Sequence, residues 1–105
     1  MRVISQDGTL DMPYEMSIVW CEDDGCVLLQ PIGEIGEYQK FAKYSTEEKA
    51  KKAMEMLRIV YENNEFYHHT SNSEHFTEFA KSLSEEMFKK ATSEYFQFPA
   101  EEELE

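Results

Sequence analysis

The stretch STEEKAKKAMEMLRIVYENN, Ser45 to Asn64, decides the fold. Ala50, Ala53, Met54, Leu57, Val60 and Tyr61 recur at steps of three and four, which lines them up on one face of an α-helix. Ser45 with Glu48 three residues on fits a capping box, and Glu47 and Glu48 place negative charge at the positive end of the helix dipole. Glu47/Lys51 and Glu48/Lys52 are i,i+4 pairs in the favourable orientation. Asn63-Asn64 is predicted to end the helix with a left-handed residue. Met56 lies at the edge of the apolar stripe. Ile59 points roughly away from it, so it is either covered by another element or is itself a contact.

Working back toward the N-terminus, Glu37 to Tyr44 alternates in character and reads as a strand running straight into the helix. Cys26 to Gln30 is a strand, ended by Pro31 and Gly33. It pairs as a hairpin with Tyr14 to Cys21 across the acidic turn Glu22-Asp23-Asp24-Gly25. In that strand Ile18 and Trp20 face one side, and Val19 and Cys21 the other. Arg2 to Gln6 is β-prone, Asp7-Gly8 is a turn, and Thr9 to Met12 returns as a strand that Pro13 confines to an edge or an end.

Beyond the helix, Glu65 to Asn72 is ambiguous between helix, strand and loop. Ser71 with Glu74 forms a second capping box, and Phe76, Phe79, Ala80, Leu83, Met87 and Ala91 form a second helical stripe with Phe88 off it. Tyr95 to Phe98 is a short aromatic strand stopped by Pro99. The predicted fold class is α+β: an antiparallel sheet of about four to five short strands packed against two α-helices. Residues 1–99 form one domain, and 100–105 an acidic, flexible, solvated tail.

With 41% hydrophobic and 13% aromatic residues, 105 residues suffice for a modest core. The formal net charge of −12 repels nucleic acid and attracts basic partners. That charge is uneven. Residues 41–62 carry four acids against five bases, whereas 63–105 carry ten acids against three lysines. No run approaches the roughly 20 apolar residues of a membrane span, and no apolar segment follows a basic start as in a secretory signal. Two cysteines without such a signal point to reduced thiols and a cytoplasmic setting.

The opening Met1-Arg2-Val3-Ile4-Ser5-Gln6-Asp7-Gly8-Thr9, with Asp11, Pro13, Tyr14 and Glu15, resembles the start of a family of small proteins from prophages and integrative mobile elements of Gram-positive bacteria. The segment Ala42 to Ala50 resembles that family's strand-to-helix joint, and Phe96 to Pro99 followed by acids resembles its close; together the three cover about a third of the chain. The resemblance implies a mobile-element (phage or prophage) origin and a cytoplasmic protein. It supplies no catalytic residues.

The chemistry-bearing residues point to no enzyme and no cofactor. Cys21 and Cys26 are spaced Cys-x4-Cys with His68, His69 and His75 far along the chain, a poor match to a zinc site. Glu22-Asp23-Asp24 lacks the alternating ligands of a calcium loop, and Gly33 and Gly36 enclose an acid that would repel phosphate. The lysines Lys40, Lys43, Lys49, Lys51 and Lys52 are flanked by acids that oppose direct nucleic-acid binding. What remains is an acidic interaction protein. A surface this negative imitates a nucleic-acid backbone and would occupy a basic groove on a protein partner. In concrete form it is an inhibitor of a host defence nuclease or its nucleic-acid-binding subunit, an anti-CRISPR or anti-restriction role. The predicted contacts are Glu22, Asp23, Asp24, Glu34 and Glu37, with Glu85, Glu86, Glu94, Glu101, Glu102 and Glu103. The alternative is a structural or regulatory accessory protein acting as a homo-oligomer, a homodimer in the simplest case, through Ile59 and Phe88.

Overall fold

The computed structural model describes residues 1–34, 36–70 and 95–104. The chain is α+β. Strand β1 (Arg2–Ile4) pairs antiparallel with β2 (Asp11–Pro13) and parallel with β6 (Tyr95–Gln97), giving the order β2-β1-β6. Strands β3 (Ser17–Cys21), β4 (Cys26–Pro31) and β5 (Gln39–Lys43) form a second, antiparallel sheet in that order. Helix α1 (Glu47–Thr70) packs against β3 and β4.

The sequence predicts one sheet of four to five strands, and the described residues instead build two sheets of three. Pro13 is the physical cause of the break. It has no N–H to donate to a ladder, its φ of −70° starts a 3-10 turn over Tyr14–Met16, and Ser17 Oγ donates to its carbonyl at 2.6 Å. The chain leaves the first sheet there and begins the second. The stripe predicted from Phe76 to Ala91 lies outside the described residues, so α1 is the one helix among those described.

Helix α1 bears out its stripe. Ala50, Ala53, Leu57 and Val60 are buried, Met54, Met56 and Tyr61 are partly buried, and Ile59 stands 45% exposed. Its ends differ from the prediction. Thr46 Oγ1 accepts the N–H of Lys49 at 3.2 Å, so Thr46 rather than Ser45 caps the helix. The helix also runs through Asn63-Asn64 to Thr70, with neither asparagine in a left-handed conformation. Residues 65–70 of the ambiguous stretch are therefore helical.

The core lies between α1 and the inner face of β3-β4-β5. Val27 and Leu29 from β4, Phe41 and Ala42 from β5, and Tyr44 meet the helix stripe there, with Val3, Phe96 and Phe98 arriving from the first sheet. A bulge in the β4–β5 register beside Val27 and Leu28 lets successive residues Phe41 and Ala42 both turn inward. Leu28 faces the opposite side between its cross-strand neighbours Trp20 and Lys40, and Trp20 meets Tyr38 edge-on at 5.9 Å.

One residue joins the two sheets. The Gln6 N–H donates to the Phe41 carbonyl at 2.7 Å, its Oε1 accepts the Lys43 N–H at 3.1 Å, and its Nε2 donates to the Pro99 carbonyl at 3.1 Å. Those bonds cover the outer edge of β5 at Phe41 and Lys43. The Pro99 carbonyl also accepts the buried Tyr44 hydroxyl at 2.8 Å, so strand, helix entry and C-terminal segment converge on one oxygen.

The turn after β1 is held by Asp7, whose Oδ1 accepts Ser5 Oγ at 2.6 Å, the Thr9 N–H at 3.0 Å and Thr9 Oγ1 at 2.7 Å. The Ser5 hydroxyl, followed by the Thr9 donors, holds the carboxyl down from the ordinary 3.8 to about 2. A depressed carboxyl stabilises the fold above its unfolded value and loses that contribution as pH falls through its folded value. The Asp7 contribution is thus complete above about pH 3.8 and is lost as pH drops to about 2. Urea midpoints taken across this range should fall more steeply in the native chain than in Asp7→Asn. Parallel profiles would mean the turn does not hold the carboxylate in solution.

Candidate functional site

The acidic residues are brought together by contacts that join three distant segments. The β3–β4 turn is closed by the Gly25 N–H donating to Glu22 O at 3.1 Å and the Glu22 N–H to Cys26 O at 2.9 Å. Asp24 Oδ1 accepts the Cys26 N–H at 3.0 Å, and this backbone bond holds the Asp24 carboxyl below the usual range. The Gly25 carbonyl accepts the Tyr44 N–H at 2.9 Å, which seats the turn against the entry to α1. Lys43 Nζ donates to the Asp24 carbonyl and sits 3.9 Å from its Oδ2.

The C-terminal segment docks on the same end. Predicted to be a solvated tail, Glu101–Leu104 forms a 3-10 turn with Leu104 buried. Glu101 Oε1 accepts the Ser45 N–H at 2.5 Å, and its Oε2 lies 3.5 Å from Lys49 Nζ. The Ser45 backbone bond keeps the Glu101 carboxyl below the usual range, with Lys49 adding to it. The reciprocal arm of the predicted capping box therefore comes from Glu101, far along the chain, and not from Glu48. Lys52 Nζ donates to the Leu104 carbonyl at 2.5 Å. Burial, reinforced by Glu103 and Glu101, pushes the Tyr44 hydroxyl far above its ordinary value.

The result is one acidic pole. It holds Glu22, Asp23 and Asp24 on the turn, Glu48 on the first turn of α1, and Glu101 to Glu103 on the docked segment. Asp24 and Glu101 are partly neutralised by Lys43 and Lys49, and Glu47 pairs with Lys51 at 2.7 Å. Glu22, Asp23, Glu48, Glu102 and Glu103 are exposed and form no ion pair among the described residues. Glu48 is the member that the sequence assigns to the start of the helix, as capping partner, dipole charge and pair of Lys52, and not to the acidic contacts.

Other predicted contacts stand apart. Glu34 and Glu37 are exposed in the β4–β5 connection, at the far end of a strand about 20 Å long. Glu85, Glu86, Glu94 and Phe88 lie outside the described residues. Among the described residues no three metal-binding side chains converge. Both cysteines are free thiols, and burial followed by Glu47 pushes the Cys21 thiol up, away from a reactive thiolate. No helix of the described residues is long and apolar enough to cross a membrane.

A cleft of about 440 Å³ lies elsewhere, between β3 and α1. Tyr14 and Tyr61 meet at its wall with ring centroids 4.6 Å apart. No local signal joins these residues in the sequence, because their helix and turn become neighbours only after folding. Comparison of the chain with protein-family models, curated proteins and solved structures finds no match in any of the three.

Proposed function

We propose that this chain is a non-enzymatic interaction protein that presents its acidic pole to a basic, nucleic-acid-binding groove of a protein partner. The observation that supports it is the gathering of Glu22, Asp23, Glu48, Glu102 and Glu103 on one end by the Gly25–Tyr44 and Ser45–Glu101 bonds. Carboxylates held in place on a folded end need less ordering on binding than a mobile tail would, so less affinity is lost to entropy. The partner class is a host defence nuclease or its nucleic-acid-binding subunit, inhibited because its lysines and arginines are occupied in place of phosphates.

Competition with duplex DNA for a panel of restriction and CRISPR nucleases tests this reading. Inhibition should weaken steeply with salt. The combined variant Asp23→Asn, Glu102→Gln, Glu103→Gln should lose at least tenfold in affinity. Inhibition indifferent to both salt and those substitutions, or absent across the panel, rejects it.

A second reading has its own observation. Ile59 and Phe66, one heptad apart on α1, are 45% and 42% exposed. A homo-oligomer formed on that face would give a structural or regulatory accessory protein. Light scattering separates the two readings, since a strict monomer at high concentration ends the second and leaves the first intact.

A further inference from the structure

The edges of the second sheet are treated differently. The β5 edge is covered by Gln6. The β3 edge has no strand beside it among the described residues. The bonds Ile32 N–H to Met16 O and Glu22 N–H to Cys26 O set the alternation of the β3–β4 ladder. By that alternation Ile18 and Trp20 bond to β4, while Val19 and Cys21 direct N–H and C=O away from it, to the open edge. The Ser17 N–H is already used by the Tyr14 carbonyl, so the open ladder begins at the Ser17 carbonyl.

The cleft runs along this edge. Ser17 and Val19 form one wall and Met54, Leu57, Arg58 and Tyr61 of α1 the other. An unpaired edge beside a helix is the arrangement in which an extended peptide adds as a further strand, its backbone completing the ladder and alternate side chains entering the groove. The cleft's size falls in the range that takes ligand side chains. Its chemistry is specific. Val19, Met54, Leu57 and Tyr61 supply an apolar floor. Arg58 is an exposed guanidinium in none of the ion pairs among the described residues, in a chain of net charge −12. The carboxylate in the cleft, Glu15, is already held by the N-terminal ammonium at 2.6 Å.

We propose that the β3–α1 cleft binds an extended segment of a partner protein as an added strand, with an acidic side chain on Arg58 and an apolar side chain on Val19, Met54 and Leu57. Both side chains must face the helix, so they lie two residues apart in the segment. This site is separate from the acidic pole and selects the opposite charge.

The test is a displayed library of random ten-residue peptides panned on the full chain. Enriched peptides should share an acid two positions from an apolar residue. Arg58→Glu should weaken their binding at least tenfold, with circular dichroism unchanged because Arg58 is exposed. In the unsubstituted chain, bound peptide should slow amide exchange at Val19 and Cys21. Failure to enrich, binding indifferent to Arg58→Glu, or unprotected Val19 and Cys21 amides each overturns the proposal. An Arg58-dependent dimer without peptide enrichment assigns the cleft to a second copy, and overturns it equally.

Discussion

Gly25→Ala should destabilise the protein by about 3–4 kcal/mol, a large part of the roughly 5–15 kcal/mol that holds a domain of this size together. Two costs add. Gly25 has a φ of +91°, where an L side chain strains the backbone by about 1–2 kcal/mol. A Cβ there would also lie 2.2 Å from the Tyr44 carbonyl oxygen and 3.2 Å from that of Thr46. Those atoms are main chain at the entry to α1 and cannot swing aside, so relief means lifting the turn and weakening the Tyr44–Gly25 bond. Gly33→Ala is the matched control. Its φ of +90° carries the same strain, but a Cβ there meets nothing within 4 Å, so only the strain should appear. Urea denaturation of the pair isolates the contact. Equal losses would mean that the turn does not seat against Tyr44, and the acidic pole would lose its basis.

Ending the chain at Ala100 should cost about 3 kcal/mol in the same measurement. Leu104 is 3% exposed, and returning a buried leucine to water costs about 1.5–3 kcal/mol. The Ser45 N–H loses the carboxylate that satisfies it, a loss of capping type near 1 kcal/mol. The Lys49–Glu101 pair is partly exposed and adds little, so the loss should persist in high salt. Leu104→Ala alone should account for most of it. A solvated tail would give no change beyond about 0.5 kcal/mol, which would contradict the docked segment.

The legible parts of the fold are those with a local cause. The stripe from Ala50 to Val60 is buried because a 3.6-residue period leaves a helix only one apolar face. Asp24-Gly25 closes a hairpin because glycine reaches positive φ without cost. The opposed faces of Val19 and Ile18 follow from the two-residue strand repeat, and Ile18 is 48% exposed accordingly. The 3.6-residue period likewise sets Ile59 off the α1 stripe, as either a covered residue or a contact, and it stands 45% exposed.

The candidate site was legible only as an inventory of acids. Nothing near Glu101 signals that its carboxylate reaches Ser45, and four glutamates around one leucine read as solvent-loving. Gln6 likewise carries no local mark of the three bonds it makes.

By itself the sequence determined the helix, the hairpin, the negative charge and the faces each element buries, since these depend on residues within a turn or two of one another. Tertiary structure alone decided that the strands divide into two sheets and that β6 lies parallel to β1. It alone gathered Glu22–Asp24, Glu48 and Glu101–Glu103 on one pole, and left β3, among the described residues, with an open edge beside Arg58. Each of these rests on hydrogen bonds and burial between residues far apart in the chain. Their free energy exists only once the whole core has closed, and so leaves no period or motif to be read beforehand.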